Sequence, residues 1–146
     1  MELARLRGLR VIAQVAPADE RLVRGFGAEL VVARGVPLAP AVRALIPDGV
    51  DGVLDAANVG VAAMDAVRHG GAFAALLDNA PMARRGIRSV NVAWTVDGGR
   101  LAELSALAEA GRLTLRVAAT YPLEQAAEAH EAVDRGGSRG RHVLVP

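Results

Sequence analysis

LRVIAQVAPADERLVRGFGAELVVA, residues 9–33, is the stretch on which the fold turns. Leu9–Val15 is short, apolar and rich in β-branched residues, as a strand covered on both faces would be. Pro17, Asp19 and Glu20 then suit a helix start. Proline needs no N–H partner in a first turn, and acids there meet the positive end of the helix dipole. Leu22, Val23 and Phe26 give this helix one apolar face, and Gly27 is a stop signal. Glu29–Ala33 is a second apolar strand. Two strands separated by one helix form a unit whose strands run parallel.

The same alternation continues in both directions. Upstream, Glu2–Arg7 reads as the closing turns of a helix and Gly8 as its stop, so the chain opens on a helix tail that feeds a buried strand. Downstream, Pro37–Ile46 reads as a short helix with Val42, Leu45 and Ile46 apolar, and Pro47-Asp48-Gly49 as a turn. Val50–Asp55 is a third strand. Val59–Arg68 reads as a helix bearing Val61, Met64 and Val67, ended by His69-Gly70-Gly71. Ala72–Leu77 is a fourth strand, Asp78–Arg85 a loop and Ile87–Trp94 a fifth strand. Asp97–Ala110 reads as an amphipathic helix with Leu101, Leu104, Leu107 and Ala108 on one side. Leu113–Thr120 is extended, Leu123–Asp134 helical and His142–Val145 a last strand. This pattern predicts an α/β fold: a Rossmann-like, doubly wound parallel sheet with helices on both faces. Ligands of such sheets sit beyond the carboxyl ends of the strands. The loops Ala16–Asp19, Ala33–Pro37, Ala56–Gly60 and Asp78–Pro81 are therefore the ones to weigh.

Composition narrows the function. The 146 residues are 52% hydrophobic and carry a net charge of +1, with all 17 basic residues arginine. The balanced charge and scarce aromatics argue against a nucleic-acid partner. No apolar run is long enough to cross a bilayer and no signal peptide opens the chain, so no membrane partner and a cytoplasmic location are expected. Cysteine is absent and the three histidines, His69, His130 and His142, lie far apart. No metal is therefore expected in this chain.

Individual residues remain ambiguous on their own chemistry. Ala56-Ala57-Asn58-Val59-Gly60 could let a ligand approach free N–H groups at a helix start; an ordinary strand-to-helix turn capped by Asn58 is the simpler account. Asp78-Asn79-Ala80-Pro81 could bond a ligand's amide or be a solvated turn. Arg21 and Arg34 follow strands, where guanidinium groups could meet a phosphate; lone arginines more often face solvent. Asp55 ends a strand, yet no histidine or nucleophile is spaced to work with it, and no catalytic residue is assigned. His130 reads as structural. Gly136-Gly137-Ser138-Arg139-Gly140 precedes a strand rather than a helix, so it is a loop and not a glycine-rich cofactor turn.

Four stretches in order carry a resemblance. They are residues 3–32 (LARLRGLRVIAQVAPADERLVRGFGAELVV), 49–60 (GVDGVLDAANVG), 66–76 (AVRHGGAFAAL) and 121–146 (YPLEQAAEAHEAVDRGGSRGRHVLVP). Together they resemble the C-terminal part of the medium-chain dehydrogenase/reductase superfamily, in its quinone-oxidoreductase-like, zinc-independent branch. The resemblance implies a partial dinucleotide-binding domain over residues 1–112. It implies a C-terminal segment over residues 113–146, which in the family packs on the substrate domain. It also implies that the first sheet strand, the glycine-rich turn and the substrate domain would precede Met1.

By the same resemblance the cofactor is NADP(H), and the chemistry is hydride transfer to a small carbonyl, enone or quinone. Carried over by position, the cofactor-binding residues are Ala16, Arg21 and Arg34 near the adenosine end. Ala57 and Asn58 line the ribose and nicotinamide, and Leu77 and Asp78 lie beside the carboxamide. A sheet lacking a central strand exposes apolar edges, so a homodimer or a complementing chain is expected. The alternative is a non-catalytic remnant or protein-interaction module of the same fold.

Overall fold

The computed structural model describes residues 1–146, which form two compact units, Met1–Val96 and Asp97–Pro146. In the first unit, helix α1 (Glu2–Leu6) ends before Gly8, whose φ of +72° is easy only for glycine. Strand β1 (Ile12–Val15) follows. A 3₁₀ turn at Pro17–Asp19 leads into α2 (Glu20–Gly25), and β2 (Leu30–Ala33) pairs with β1 in parallel, Ile12 opposite Leu30 and Val15 opposite Ala33. The strand–helix–strand reading of residues 9–33 therefore stands, with β1 starting three residues later than the apolar run.

Helix α3 (Leu38–Leu45) buries Val42. Strand β3 (Val50–Asp55) comes next, then α4 (Val61–Met64) and β4 (Val67–Ala75). Strand β5 (Arg88–Asn91) completes a parallel sheet of order β3-β4-β5. The core of this sheet is Met64, Val67, Phe73, Ala75 and Ile87, all at most 1% exposed, with Ala63.

One segment differs in kind, and not only in its bounds, from the sequence reading. The helix expected over Val59–Arg68 stops at Met64, and Val67 is already the first residue of β4. Arginines remote in sequence make this stop. The Arg85 guanidinium donates to the Met64 carbonyl at 2.9 Å, and Arg43 donates to the carbonyls of Asp65 and Val67 at 3.1 and 3.2 Å. The Met64 carbonyl, which a helix running on to Arg68 would have bonded internally, is thus satisfied from outside, and Arg43 holds the carbonyls of the link into β4. Val67 stays buried, as its spacing from Met64 suggested, but as a strand residue opposite Val50.

The second unit holds α5 (Gly98–Glu109), capped by the Asp97 carboxylate on the Arg100 N–H at 2.9 Å. Strand β6 (Val117–Pro122) starts later than the extended run expected at Leu113. A 3₁₀ turn at Leu123–Gln125 precedes α6 (Ala126–Asp134), and β7 (Arg141–Val145) pairs in parallel with β6. On α5 the expected apolar face is only partly covered: Leu104, Leu107 and Ala108 are half-buried and Leu101 is exposed. Every strand pair in the chain is parallel, as an α/β doubly wound fold requires. The strands fall into three sheets, β1-β2, β3-β4-β5 and β6-β7.

Candidate functional site

The loop after β3 is organised by one carboxylate. Asp55 is 4% exposed. Its Oδ1 accepts from the N–H groups of Ala57 and Val59 at 3.0 and 3.2 Å, and its Oδ2 from the Gly60 N–H at 2.7 Å. Burial alone would push its pKa up. The donors from Gly60, Ala57, Val59 and Asn58 outweigh that and hold the carboxyl below the usual aspartate range. A carboxylate fixed in this way is an internal counter-anion and a poor base. The amides of Ala57, Val59 and Gly60, which the sequence offered as free donors at a helix start, are occupied. Asn58 is not the cap of α4; it adopts the left-handed conformation, φ +58°, and turns its side chain elsewhere.

That side chain meets the next loop. The Asn79 amide donates to Asn58 Oδ1, tying the loop after β3 to the loop after β4. Asp78 is also left-handed, φ +54°, and Leu77 beside it is 58% exposed. The end of β5 holds this second loop in place: Asn91 Oδ1 accepts from the Ala80 N–H at 2.8 Å, and Ser89 Oγ donates to the Pro81 carbonyl at 2.6 Å. Three adjacent parallel strands thus end in one cluster of side-chain amides, Asn58, Asn79 and Asn91. The Asn79 Oδ1 is buried without a partner. Asn79 was weighed in the sequence only as part of the Asp78–Pro81 loop, and Asn91 was not singled out. A side-chain amide at the end of a strand, or in the loop just after it, on three successive strands was the available signal.

The other expected residues lie at the ends of β1 and β2. Ala16 immediately follows β1 and precedes the 3₁₀ turn, and Arg21 is in the first turn of α2 with its side chain exposed. Arg34 follows β2, and its N–H bonds the Val15 carbonyl at 2.7 Å, so β1 and β2 end level. Its side chain is exposed. The expected residues therefore form two groups, Ala16 with Arg21 and Arg34, and Ala57 and Asn58 with Leu77 and Asp78. Both stand at carboxyl ends of parallel strands, and no hydrogen bond joins the two groups.

In the second unit, His142 links β7 to the preceding loop. Its Nδ1 lies 3.2 Å from Tyr121 Oη and its Nε2 2.8 Å from Ser138 Oγ. An open cavity of about 230 Å³ beside it is lined by Ala126, Ala129, His130, Val133 and Leu144. No group of three or more His, Cys, Asp or Glu is placed to hold a metal ion. No helix is long and apolar enough to cross a membrane.

Residues 26–144 match the zinc-binding dehydrogenase family. The chain belongs to that family. Solved structures agree with it in fold. Over 99% of this chain, AibC matches at 26% identity with a TM-score of 0.88, and an NAD-dependent alcohol dehydrogenase at 27% with a TM-score of 0.80. A mycobacterial protein complexed with NADPH matches at 24% and 0.73. The chain spans about half the length of these structures, 47%, 46% and 51% in that order. No curated protein matches the chain.

Membership of the zinc-binding dehydrogenases implies a nicotinamide cofactor, and the two clusters can be tested against one. The orphaned Asn79 Oδ1 is an acceptor in want of an N–H, as a carboxamide would supply. Exposed Arg21 and Arg34 are cations that a phosphate could meet. The loop after β3 provides no backbone cradle for a phosphate, because Asp55 fills it. By their chemistry the two groups offer an acceptor to a carboxamide and cations to a phosphate, and the β3 loop does not supply a pyrophosphate site.

Proposed function

We propose that residues 1–146 form the nicotinamide-cofactor part of an oxidoreductase that passes hydride to or from a small carbonyl, enone or quinone. One observation carries the reading: β3, β4 and β5 of a zinc-binding dehydrogenase chain end in a joined amide cluster with one unsatisfied acceptor. When bound, the cofactor supplies the hydride. The chain's residues would orient it. Asn79 and Asn58 would receive the carboxamide, the exposed Leu77 would cover one face of the ring, and Ala57 leaves room for the backbone to approach a ribose. Ala16 and Arg34 would flank the adenosine end, with Arg21 nearby. The choice of NADPH over NADH rests on those arginines, since a 2′-phosphate adds charge that a guanidinium can pair. Asp55 takes no part in proton transfer. The substrate's own proton donor would come from outside this set.

A second reading, an interaction module of the same fold that performs no chemistry, is favoured by the occupied amides of the β3 loop. Titration of NADPH and of NADH into the chain, followed by the fluorescence of the reduced nicotinamide, separates the two. The cofactor reading expects saturable enhancement, weakened at least fivefold in Asn79→Ala and, for NADPH only, in Arg34→Ala. Unchanged fluorescence with both nucleotides favours the interaction module.

A further inference from the structure

The second unit holds a hydroxyl–imidazole–phenol chain that the cofactor reading does not use. Of the serines Ser89, Ser105 and Ser138, only Ser138 is bonded to a histidine. Its Oγ lies 2.8 Å from His142 Nε2, and Tyr121 Oη lies 3.2 Å from His142 Nδ1, at the other nitrogen of the ring. The Tyr121 and His142 rings pack with centroids 5.7 Å apart and planes tilted by 32°. Both residues are half-buried and anchored on paired strands, Tyr121 on β6 and His142 on β7. Ser138 is exposed, in the loop between α6 and β7. A serine within hydrogen-bond reach of a histidine that a third group orients is the arrangement of an activated nucleophile.

The surroundings suit a small ester. Gly136 and Gly137, just before Ser138, are left-handed, φ +68° and +76°, and a Cβ on either would meet nothing within 4 Å. The approach to Ser138 is open on this side. The N–H groups of Gly137 and Ser138 bond no acceptor in the chain, so they are available to an oxygen that gains charge. His142 itself forms part of the wall of the open cavity of about 230 Å³, whose other walls are Ala126, Ala129, His130, Val133 and Leu144, apolar except for His130. Roughly 150 Å³ is enough for a benzene ring. Nucleophile, base and apolar cavity therefore meet at one imidazole. A hydrogen-bonded pin that merely tied the loop to the sheet would need neither the cavity nor the free N–H groups.

We propose that Ser138 and His142 form a nucleophilic site that cleaves small carboxylic esters, with the acyl chain in the cavity beside His142. The proton of the imidazole sits on Nδ1 and is donated to Tyr121 Oη, which leaves Nε2 free to accept from Ser138. Ser138 Oγ attacks the acyl carbon as its proton passes to Nε2. The bond from that carbon to the alcohol oxygen breaks, and the departing alcohol takes the proton. Water then attacks the acyl-serine and gives a proton to Nε2; Ser138 Oγ recovers that proton as the carboxylic acid leaves. Ester and water become acid and alcohol, with no change of oxidation state. Ser138 and His142 are the catalytic residues, and Tyr121 is a positioning residue. This activity is independent of the cofactor reading, and its test uses no nucleotide.

The probes are p-nitrophenyl acetate and p-nitrophenyl butyrate. Release of p-nitrophenolate gives the rate, and mass spectrometry of the acid-quenched, digested chain locates the acyl group. The chain has no lysine, so no side-chain amine competes for the ester. The acyl group should be found on Ser138, and KM should be at least threefold lower for butyrate than for acetate. Ser138→Ala, at an exposed position, should remove the adduct and lower release at least tenfold. His142→Gln keeps a hydrogen-bonding side chain on β7 but no base, and should lower release at least tenfold with the circular dichroism unchanged. Tyr121→Phe should lower kcat at least threefold and leave KM unaltered, as loss of an orienting bond requires. Four results overturn the proposal: no acyl group on Ser138, equal KM for the two esters, acylation undiminished in His142→Gln, or release undiminished in Ser138→Ala. The last would make His142 itself the group that the ester acylates.

Discussion

Replacing Asp55 by asparagine tests the account of the β3 loop most directly. The carboxylate holds three backbone N–H groups, two on Oδ1 and one on Oδ2 at 2.7 Å. An amide of the same shape keeps an acceptor at the Oδ1 position. It must then turn its NH₂ toward the Gly60 N–H, donor against donor. One charge-assisted bond is lost and two fall to neutral strength, against which the relief of not burying a charge is partial. The net cost is about 2–3 kcal/mol, or roughly 5–10 °C in midpoint for a chain of this size. The pH dependence carries the sharper signature. The folded pKa of Asp55 lies below its unfolded value. Its contribution is therefore complete above the unfolded aspartate value near about 4, and is lost as pH falls through the folded value. The gap between wild type and Asp55→Asn should be fully open at pH 7 and should close at acid pH. Urea unfolding followed by far-ultraviolet circular dichroism is the assay; Trp94 is 99% exposed and makes a poor fluorescence reporter. A deficit below about 0.5 kcal/mol at pH 7, or one of equal size at pH 7 and pH 3, refutes the reasoning.

Other substitutions probe the packing that holds the strand ends in place. Phe73→Ala empties the centre of the cluster with Met64, Val67 and Ile87 and should cost about 3–5 kcal/mol in urea unfolding. Arg43→Met keeps the stem but removes the donors to Pro47, Asp65 and Val67. A loss of about 1.5–3 kcal/mol is expected, and a loss near zero would mean that water serves those carbonyls equally well. Gly49 (φ +89°) would place a Cβ 2.6 Å from the Ala66 carbonyl oxygen, whereas Gly35 (φ +98°) has open space around it. Gly49→Ala should therefore destabilise by at least about 1 kcal/mol more than Gly35→Ala, both measured by thermal melting.

What the sequence made legible follows the range of the interactions involved. Val50–Asp55 was readable to the residue because apolar and β-branched content, a Pro-Asp-Gly turn before it and a small-residue loop after it all agree locally. Val59–Arg68 was misread for the opposite reason. Val61, Met64 and Val67 have helical spacing, and nothing nearby contradicts it. The stop is held from about twenty residues away, by Arg85, which takes the Met64 carbonyl that a longer helix would have used, and by Arg43, which fixes the Asp65 and Val67 carbonyls leading into β4. No window on the sequence contains that information. The bounds of β1 are also set from a distance: the paired register with β2 begins at Ile12 opposite Leu30, while Val11 before it only accepts at its carbonyl from Glu29 and Leu30.

Asp55 shows why the site was harder to read than the fold. A buried acid at a strand end and a row of small residues after it each suggest chemistry when taken singly, a base in one case and an anion cradle in the other. Placed together they cancel, because the acid is the anion in the cradle. The local reading of two separate functional candidates becomes one structural device. That device frees Asn58 from capping α4, lets it enter the left-handed conformation, and sends its side chain across to Asn79. The amide cluster at the ends of β3, β4 and β5 thus depends on Asp55 without containing it. Asp55→Asn should accordingly weaken any nicotinamide binding that Asn79→Ala weakens, and the double substitution should lose less than the sum of the two, since both act through the position of one loop. Full additivity in the nucleotide titration would separate the Asp55 loop from the amide cluster and break that chain of dependence.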